Sequence, residues 1–346
     1  MLRLYRNTRE AIVAPTRLSA SVGERSAPYR ADVARYINAS CSSATRRAYT
    51  ADVAHFVSAG FTIPCREDQI AAYLAMHAQT LAVSTLRRRL VAIHHAHNAV
   101  NSPSPVNATI VKTIMRGIRR TRGTSQRRVK AMDKQVLLKV LRAMDRNQRP
   151  NMLKRLRDRA ILLVGFAGGF RRDELVKLNI DDIARRRTGI EFHVRLSKTD
   201  QEAVGRKVFV PKSQGANCPA KALWRWLRYA HITEGAIFRS VNRHGQISTD
   251  ALTAQSVAAI VKSSVADAGL DPRQFAAHSL RAGFVTAATV ANVPIWQIKR
   301  VTGHRSDEVV ATYVRVARRA RGVSCPKNRK REPPPVARRA RGVSLL

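Results

Sequence analysis

The chain has 346 residues, enough for two domains, and 45% of them are apolar, which allows each domain a core of its own. Its 63 Lys+Arg against 23 Asp+Glu give a formal charge of +40, and self-repulsion on that scale calls for a polyanionic partner, nucleic acid first and an anionic membrane surface second. No apolar run approaches the ~18 residues that a spanning helix needs, and Cys41, Cys65, Cys218 and Cys325 form no C-x-x-C pair, so membrane spans, disulfide frames and cysteine zinc sites are set aside and a reducing cytosol fits.

Residues 1–28 carry Arg3, Arg6, Arg9, Arg17 and Arg25 against only Glu10 and Glu24, and read as a basic, disordered arm. Residues 29–122 are patterned as a small helical bundle. Capping residues at Ser43 and Thr45 open a helix that sets Ala48, Asp52 and Phe56 four apart. Arg66 to Ala78 gives a second helix. Ser84 to Val100 gives a third, with Leu86, Leu90 and Ile93 inward and Arg87, Arg88 and Arg89 crossing its surface within reach of a major groove. After the breakers of Ser102-Pro103-Ser104-Pro105, a helix runs from Asn107 to Ile118. Between Pro105 and Met132 there is no acidic residue, whereas Lys112, Arg116, Arg119, Arg120, Arg122, Arg127, Arg128 and Lys130 are basic, as a strap along phosphates would be. Residues 123–132 serve as a basic linker, with Gly123-Thr-Ser-Gln flexible enough to mark the boundary.

Residues 133–320 read as a second, mixed α/β domain. Asp133 caps a helix carrying Val136, Leu137, Val140, Leu141 and Met144; a more apolar helix, Ala160 to Phe166, runs into the turn Gly168-Gly169. Alternation at Ile190, Phe192, Val194 and Leu196 predicts a strand paired with Val208 and Val210, with Lys198 at the mouth of the loop between them. Helices follow at Ala220 to Tyr229, Ala251 to Ala268, Ser279 to Ala291 and Ile295 to Thr302, the last stopped by Gly303; Ser306 or Asp307 starts the helix bearing Tyr313. In the tail, 321–346, the segment Val316 to Ser324 recurs unchanged as Val336 to Ser344, a duplicated basic sequence too short to be a solenoid.

The chemistry concentrates between His278 and Tyr313. A-H-S-L-R-A-G puts His278 and Arg281 on one face of a helix start, and Gly303-His304 and Tyr313 follow. Two imidazoles, a guanidinium and a phenol suit a phosphate better than a carbonyl or a metal, because the guanidinium fork binds a tetrahedral oxyanion and the phenol oxygen can attack. The pattern resembles the C-terminal signature of the tyrosine site-specific recombinases, the phage integrase family, and looks most like its Cre-like members. Those members carry tryptophan where His304 stands, so there the chain follows the family majority. Upstream, Gly169-Phe-Arg171-Arg-Asp-Glu174-Leu resembles the family's G-x-R-x-x-E-L box, and S-x-T-x-x-x-Y-x-x-D-x-x-x-F at 43–56 resembles its core-binding domain.

The resemblance implies a mainly α fold with a small β-hairpin or sheet, made of an N-terminal helical core-binding (SAM-like) domain and a mixed α/β tyrosine-recombinase catalytic domain. It implies Arg171, Glu174, Lys198, His278, Arg281, His304 and Tyr313 as the catalytic set, and phosphoryl-transfer chemistry gives the same roles. Arg171 and Arg281 clamp the scissile phosphate while Glu174 supports the site, and Tyr313 attacks to give a 3′-phosphotyrosine with His278 taking its proton. Lys198 protonates the leaving oxygen, and His304 donates to a phosphate oxygen. The ester bond is conserved in the phosphotyrosine, so neither ATP nor a metal is called for. The implied partners are double-stranded DNA with inverted-repeat sites and three further copies in a homotetramer, in a bacterial or phage-type cytoplasm. Competing readings are a catalytically silent DNA-binding relative and a type IB topoisomerase. His94, His95 and His97 on one helix lack an acidic or thiol partner and read as packing or DNA-facing residues rather than a metal site; Tyr49 reads as core, and of Trp224 and Trp226 only one can face inward.

Overall fold

The computed structural model describes residues 32, 35–36, 40–123, 129–147, 151–195, 205–308, 310–311 and 313. The basic arm, Arg127, Arg128, Lys198 and the duplicated tail lie outside the described residues. The chain divides into two compact units, residues 1–127 and 128–346.

In the first unit residues 32 and 35–36 are helical, and among the described residues from Ser43 on four helices follow one another: α1 (Ser43–Ser58), α2 (Glu67–His77), α3 (Val83–Ala99) and α4 (Thr109–Arg122), with a 3₁₀ turn at Pro105–Asn107. Ser42 caps α1, its side chain accepting from the Thr45 amide at 3.1 Å. Val53, Phe56, Ile70, Tyr73, Leu74, Leu86, Leu90 and Ile93 close one core with Val111, Met115 and Ile118 of α4, whose other face carries the cations. Aromatic edges fill it, Phe56 meeting Tyr73 at 4.8 Å. Tyr49 stacks on His95 at 5.2 Å. His97 is buried, its Nδ1 bonded to the Ile93 carbonyl and its Nε2 accepting from the Cys65 amide. Among the described residues no group of three or more His, Cys, Asp or Glu side chains is arranged to hold a metal ion.

The arginine run of α3 divides by the helix period. Arg88 forks onto buried Asp52 at 2.7 and 2.8 Å, and Arg87 is exposed. Arg89 corrects the expectation of a groove-reading residue: it is 8% exposed and donates to Tyr73 Oη at 2.7 Å while meeting His55 Nδ1 at 2.8 Å. Its position puts it on the stripe shared with Leu86 and Ile93, so it faces the core.

The second unit is organised around α6 (Met152–Ala167), whose residues Ala160 to Val164 are fully buried, as befits a helix apolar on all sides. On one side it packs on α8 (Pro219–Tyr229) and the sheet; on the other it meets α5 (Lys134–Arg146), α9 (Ala254–Asp267) and α10 (His278–Val290). Its first two turns carry the charged run that obscures them in the sequence, and the Arg157 and Asp158 side chains are buried there as a pair at 2.8 Å. A short helix α7 (Arg172–Val176) follows. The antiparallel sheet has the order β1 (Ile183–Arg186), β2 (Gly189–Val194), β3 (Arg206–Pro211), with Ile190 opposite Val210, Phe192 opposite Val208 and Val194 opposite Arg206.

Besides the short helix α7, two pieces of β-structure go beyond the predicted set. One is β1; the other is a hairpin of β4 (Arg239–Val241) and β5 (Ile247–Ala251) around Gly245. That hairpin takes Ala251, so α9 starts later than predicted, at Ala254, behind the N-cap Thr253, whose hydroxyl accepts from the Ser256 amide at 3.0 Å. Trp226 is the inward indole, donating to the Ile237 carbonyl at 2.8 Å, and Trp224 is half-buried. After α11 (Ile295–Thr302) the chain is helical again at 307–308, 310–311 and 313. No helix among the described residues is long and apolar enough to cross a membrane.

Candidate active site

Four pieces of the second unit meet at Glu174. The turn after α6 delivers Arg171 as the N-cap of α7, and Glu174, three residues on, folds back to accept the Arg171 amide at 2.9 Å. The Arg171 guanidinium reaches the same carboxylate at 2.6 Å and the Gly303 carbonyl at 3.2 Å. From β3, Arg206 grips both carboxylate oxygens at 2.7 and 3.1 Å, and its Nε donates to the Val301 carbonyl at 3.0 Å. Burial alone would raise the Glu174 pKa; the hydrogen bonds and charge of Arg206, then the Arg171 amide and guanidinium, outweigh it and hold the carboxyl below its usual range.

Arg281 approaches from α10. It is 1% exposed, donates Nη1 to the Gly169 carbonyl at 2.8 Å beside Arg171, and its buried Nε and Nη2 meet no hydrogen-bond partner among the described residues. α10 gets this close because Gly283, one turn past His278, has no side chain: a Cβ there would stand 1.8 Å from the Met132 carbonyl oxygen. The segment is pinned by the Met132 amide on the Ser279 carbonyl at 2.9 Å. The glycine that closes the H-S-L-R-A-G motif is thus a packing requirement, whereas His278 and Arg281 face the site.

His278 Nε2 lies 2.8 Å from Tyr313 Oη. The fold thus brings together two side chains that stand 35 residues apart in the sequence. His304 follows Gly303, which ends α11 in the left-handed conformation at φ 65°. Thr302 gives its hydroxyl proton to the Ile298 carbonyl at 2.6 Å, so its oxygen accepts from His304 Nδ1 at 2.7 Å and the basic nitrogen of that ring is Nε2. Lys198 lies outside the described residues; the strand ends that flank its loop, Val194 and Arg206, are paired.

Three guanidinium groups, from Arg171, Arg206 and Arg281, surround a single carboxylate. Desolvation, then the Arg171 charge, pushes Arg281 down to about 9. Desolvation, then Arg281 and Arg171, pushes His304 down to about 3. The His278 ring, set against Tyr313, is lowered by the same causes in the same order. A site with excess buried cation, two donors of Arg281 unmatched and both imidazoles neutral is built for an anion, since each buried donor left unpaired costs about 1–3 kcal/mol that an oxyanion returns.

Arg206 and Thr302 escaped the sequence reading. Arg206 had a signal: it lies in phase with Val208 and Val210 on the buried face of β3, and an inward arginine needs an acid. Of the expected DNA-contacting side chains, Arg87, Arg116, Arg119 and Arg120 are exposed. Arg122 is also exposed but folds back onto the Ala78 and Leu81 carbonyls.

Residues 130–319 match the family model described as the phage integrase family. The integrase/recombinase XerD homolog of Selenomonas ruminantium is 34% identical over 289 residues, spanning 81% of this chain and 84% of its own. In fold, the chain is similar to the XerH site-specific recombinase crystallised on palindromic difH substrate, with a TM-score of 0.62 at 16% identity over 92% of each chain. It is also similar to a lambda integrase dimer bound to a COC′ core site, with a TM-score of 0.56 at 15% identity over 84% of this chain and 76% of the other. With matches over more than half its length and a relative at this identity, the chain belongs to the phage integrase family, the tyrosine recombinases that break and rejoin DNA.

Proposed function

We propose that this protein is a site-specific recombinase that cuts and rejoins duplex DNA through a 3′-phosphotyrosine on Tyr313. The observation that carries the reading is the 2.8 Å bond between the Tyr313 phenol and His278, beside an Arg281 with two unmatched donors. Tyr313 Oη attacks the scissile phosphorus, the bond from phosphorus to the 5′-oxygen breaks, the phenol proton passes to His278 Nε2, and Lys198 protonates the departing 5′-oxygen. Neutral imidazole is the form that accepts a proton, and the shift at His278 favours it. Arg171 and Arg281 hold the non-bridging oxygens as negative charge builds, and Glu174 and Arg206 hold Arg171 in place. His304 donates from Nε2 after taking up a proton that the bound phosphate stabilises, because its Nδ1 proton is spent on Thr302.

Attack by the 5′-hydroxyl of a second duplex releases Tyr313 and leaves a crossed strand, so a Holliday junction lies between the two rounds of exchange. One tyrosine per strand, for two strands in each of two duplexes, sets the assembly at a homotetramer on inverted-repeat sites. The exposed cations Arg87, Arg116, Arg119 and Arg120 of the first unit contact phosphates, and Arg127, Arg128 and the linker cations extend that contact.

The test is a suicide duplex carrying a nick next to a candidate site, incubated with wild type and with Tyr313→Phe. A covalent protein–DNA adduct forms with wild type and is absent in the variant; an adduct that persists in Tyr313→Phe overturns the assignment of the nucleophile. Relaxation of supercoils by single subunits without joint molecules between two sites would instead favour the topoisomerase reading.

A further inference from the structure

A second cationic concavity lies at the opposite end of the sheet from Glu174. The cleft has a volume of about 600 Å³ and opens between the β1–β2 turn and α8. Arg185 and Arg187 line one wall, Lys212 stands at the end of β3, and Lys221, Arg225 and Arg228 line the other wall. Gly189, which lines it, pairs with Pro211, whereas Arg206 of the active site pairs with Val194 at the other end of the same two strands. At about 3.4 Å per residue, five steps of β3 separate the ends by about 17 Å, so the cleft shares no residue with the catalytic constellation.

Three features set it apart from an ordinary solvated face. Lys221, Arg225 and Arg228 recur at i, i+4 and i+7 and so form one stripe of α8, facing Arg185 of β1 and Arg187 of the β1–β2 turn across the cleft. Among the described residues none of the six named cations makes an ion pair; Arg186, the last residue of β1, is offset by Glu191 at 3.0 Å. Aromatic planes interleave with them: Arg185 stands 5.9 Å from the ring centre of half-buried Trp224, and Arg228 5.2 Å from that of Tyr229.

The geometry points to a second nucleic-acid site, in which this cleft holds, through its phosphates, a DNA duplex other than the one being cut. Arginine forks suit phosphate oxygens bidentately. The α8 stripe rises about 10 Å, the length over which one strand of B-DNA carries about three phosphates. The chain's own C-terminal segment does not fit as an occupant, because residues 314–346 contain Glu332 as their one acid among many arginines and lysines. The inference goes beyond the phosphotyrosine reading and does not depend on it.

The experiment uses the full chain bound to a short biotinylated duplex on streptavidin, to which a labelled second duplex of unrelated sequence is added. The variant is Lys221→Glu with Arg225→Glu and Arg228→Glu, all exposed; the charge-matched control is Lys134→Glu with Lys139→Glu and Arg142→Glu on exposed positions of α5. Wild type and control capture the second duplex. The cleft variant captures at least tenfold less, loses about 2.7 from the slope of log affinity against log salt for that duplex, and forms covalent adduct on the short nicked duplex within about twofold of wild type. Equal capture by the cleft variant and wild type, or equal loss in variant and control, overturns the proposal. So does a loss confined to vesicles containing phosphatidylserine, which assigns the cleft to a membrane surface. Absence of adduct in every protein with capture still lost in the cleft variant alone sinks the phosphotyrosine reading and leaves this one standing.

Discussion

Arg206 ties three parts of the site: both oxygens of Glu174, the Val301 carbonyl just before Gly303-His304, and the strand end next to the loop that carries Lys198. Replacing it by Met leaves Glu174 with Arg171 alone and frees the end of α11, so the expected loss is of geometry, which for an offset near 1 Å costs about 100-fold in rate. Single-turnover adduct formation by Arg206→Met should fall by about that factor, while affinity for a short duplex changes less than about threefold. Arg206→Lys should recover part of the rate, because one ammonium replaces the charge but not the fork. Equal losses in rate and affinity would make Arg206 a phosphate ligand instead. At this scale the candidate site was largely legible: Arg171, His278, Arg281, His304 and Tyr313 stand in short motifs whose spacing is local. Arg206 and Thr302 were not, since one finds its acid 32 residues away and the other acts by fixing a ring nitrogen, neither of which a motif displays.

At the scale of elements, α10 is held where it is by the missing side chain of Gly283. Gly283→Ala brings a methyl group 1.8 Å from a backbone oxygen that has no rotamer to escape with, so α10 or the 130–132 segment must move. The cost should be about 1–3 kcal/mol, as for overpacked cores, read as a lower urea midpoint, together with lost adduct formation because His278 and Arg281 ride on the displaced helix. A variant of unchanged stability and rate would contradict the packing. The helices announced themselves through apolar periodicity and caps, as at Asp133, whose carboxylate accepts the Val136 amide at 2.9 Å. What escaped were elements without periodicity. In β1 the strand Ile-Ala-Arg-Arg shows no alternation, and its pairing with β2 supplies the order; the β4–β5 hairpin is held by Asn242 Oδ1 accepting from the His244 and Gln246 amides, a turn device rather than a pattern.

For the whole molecule, acid is the condition that acts on both units at once. His55, His77 and His95 in the first unit and His278 and His304 in the second all titrate below their usual value, with desolvation the largest cause in each. Folding keeps these rings neutral where the unfolded chain would protonate them, so below about pH 6.5 the unfolded state binds more protons and stability falls as pH drops. Urea midpoints at pH 7.5 and 5.5 should show that fall, and His304→Gln should lessen it for the second unit; a flat profile would mean that the rings gain partners on protonation. The +40 of the chain works in the same direction, since acid removes the few carboxylates that offset it. The contact between Tyr313 and His278 also has a bearing on division of labour in an assembly. On the roles proposed above for Tyr313 and His278, their 2.8 Å contact lies within one polypeptide, so mixtures of Tyr313→Phe and His278→Ala subunits should not complement one another in adduct formation.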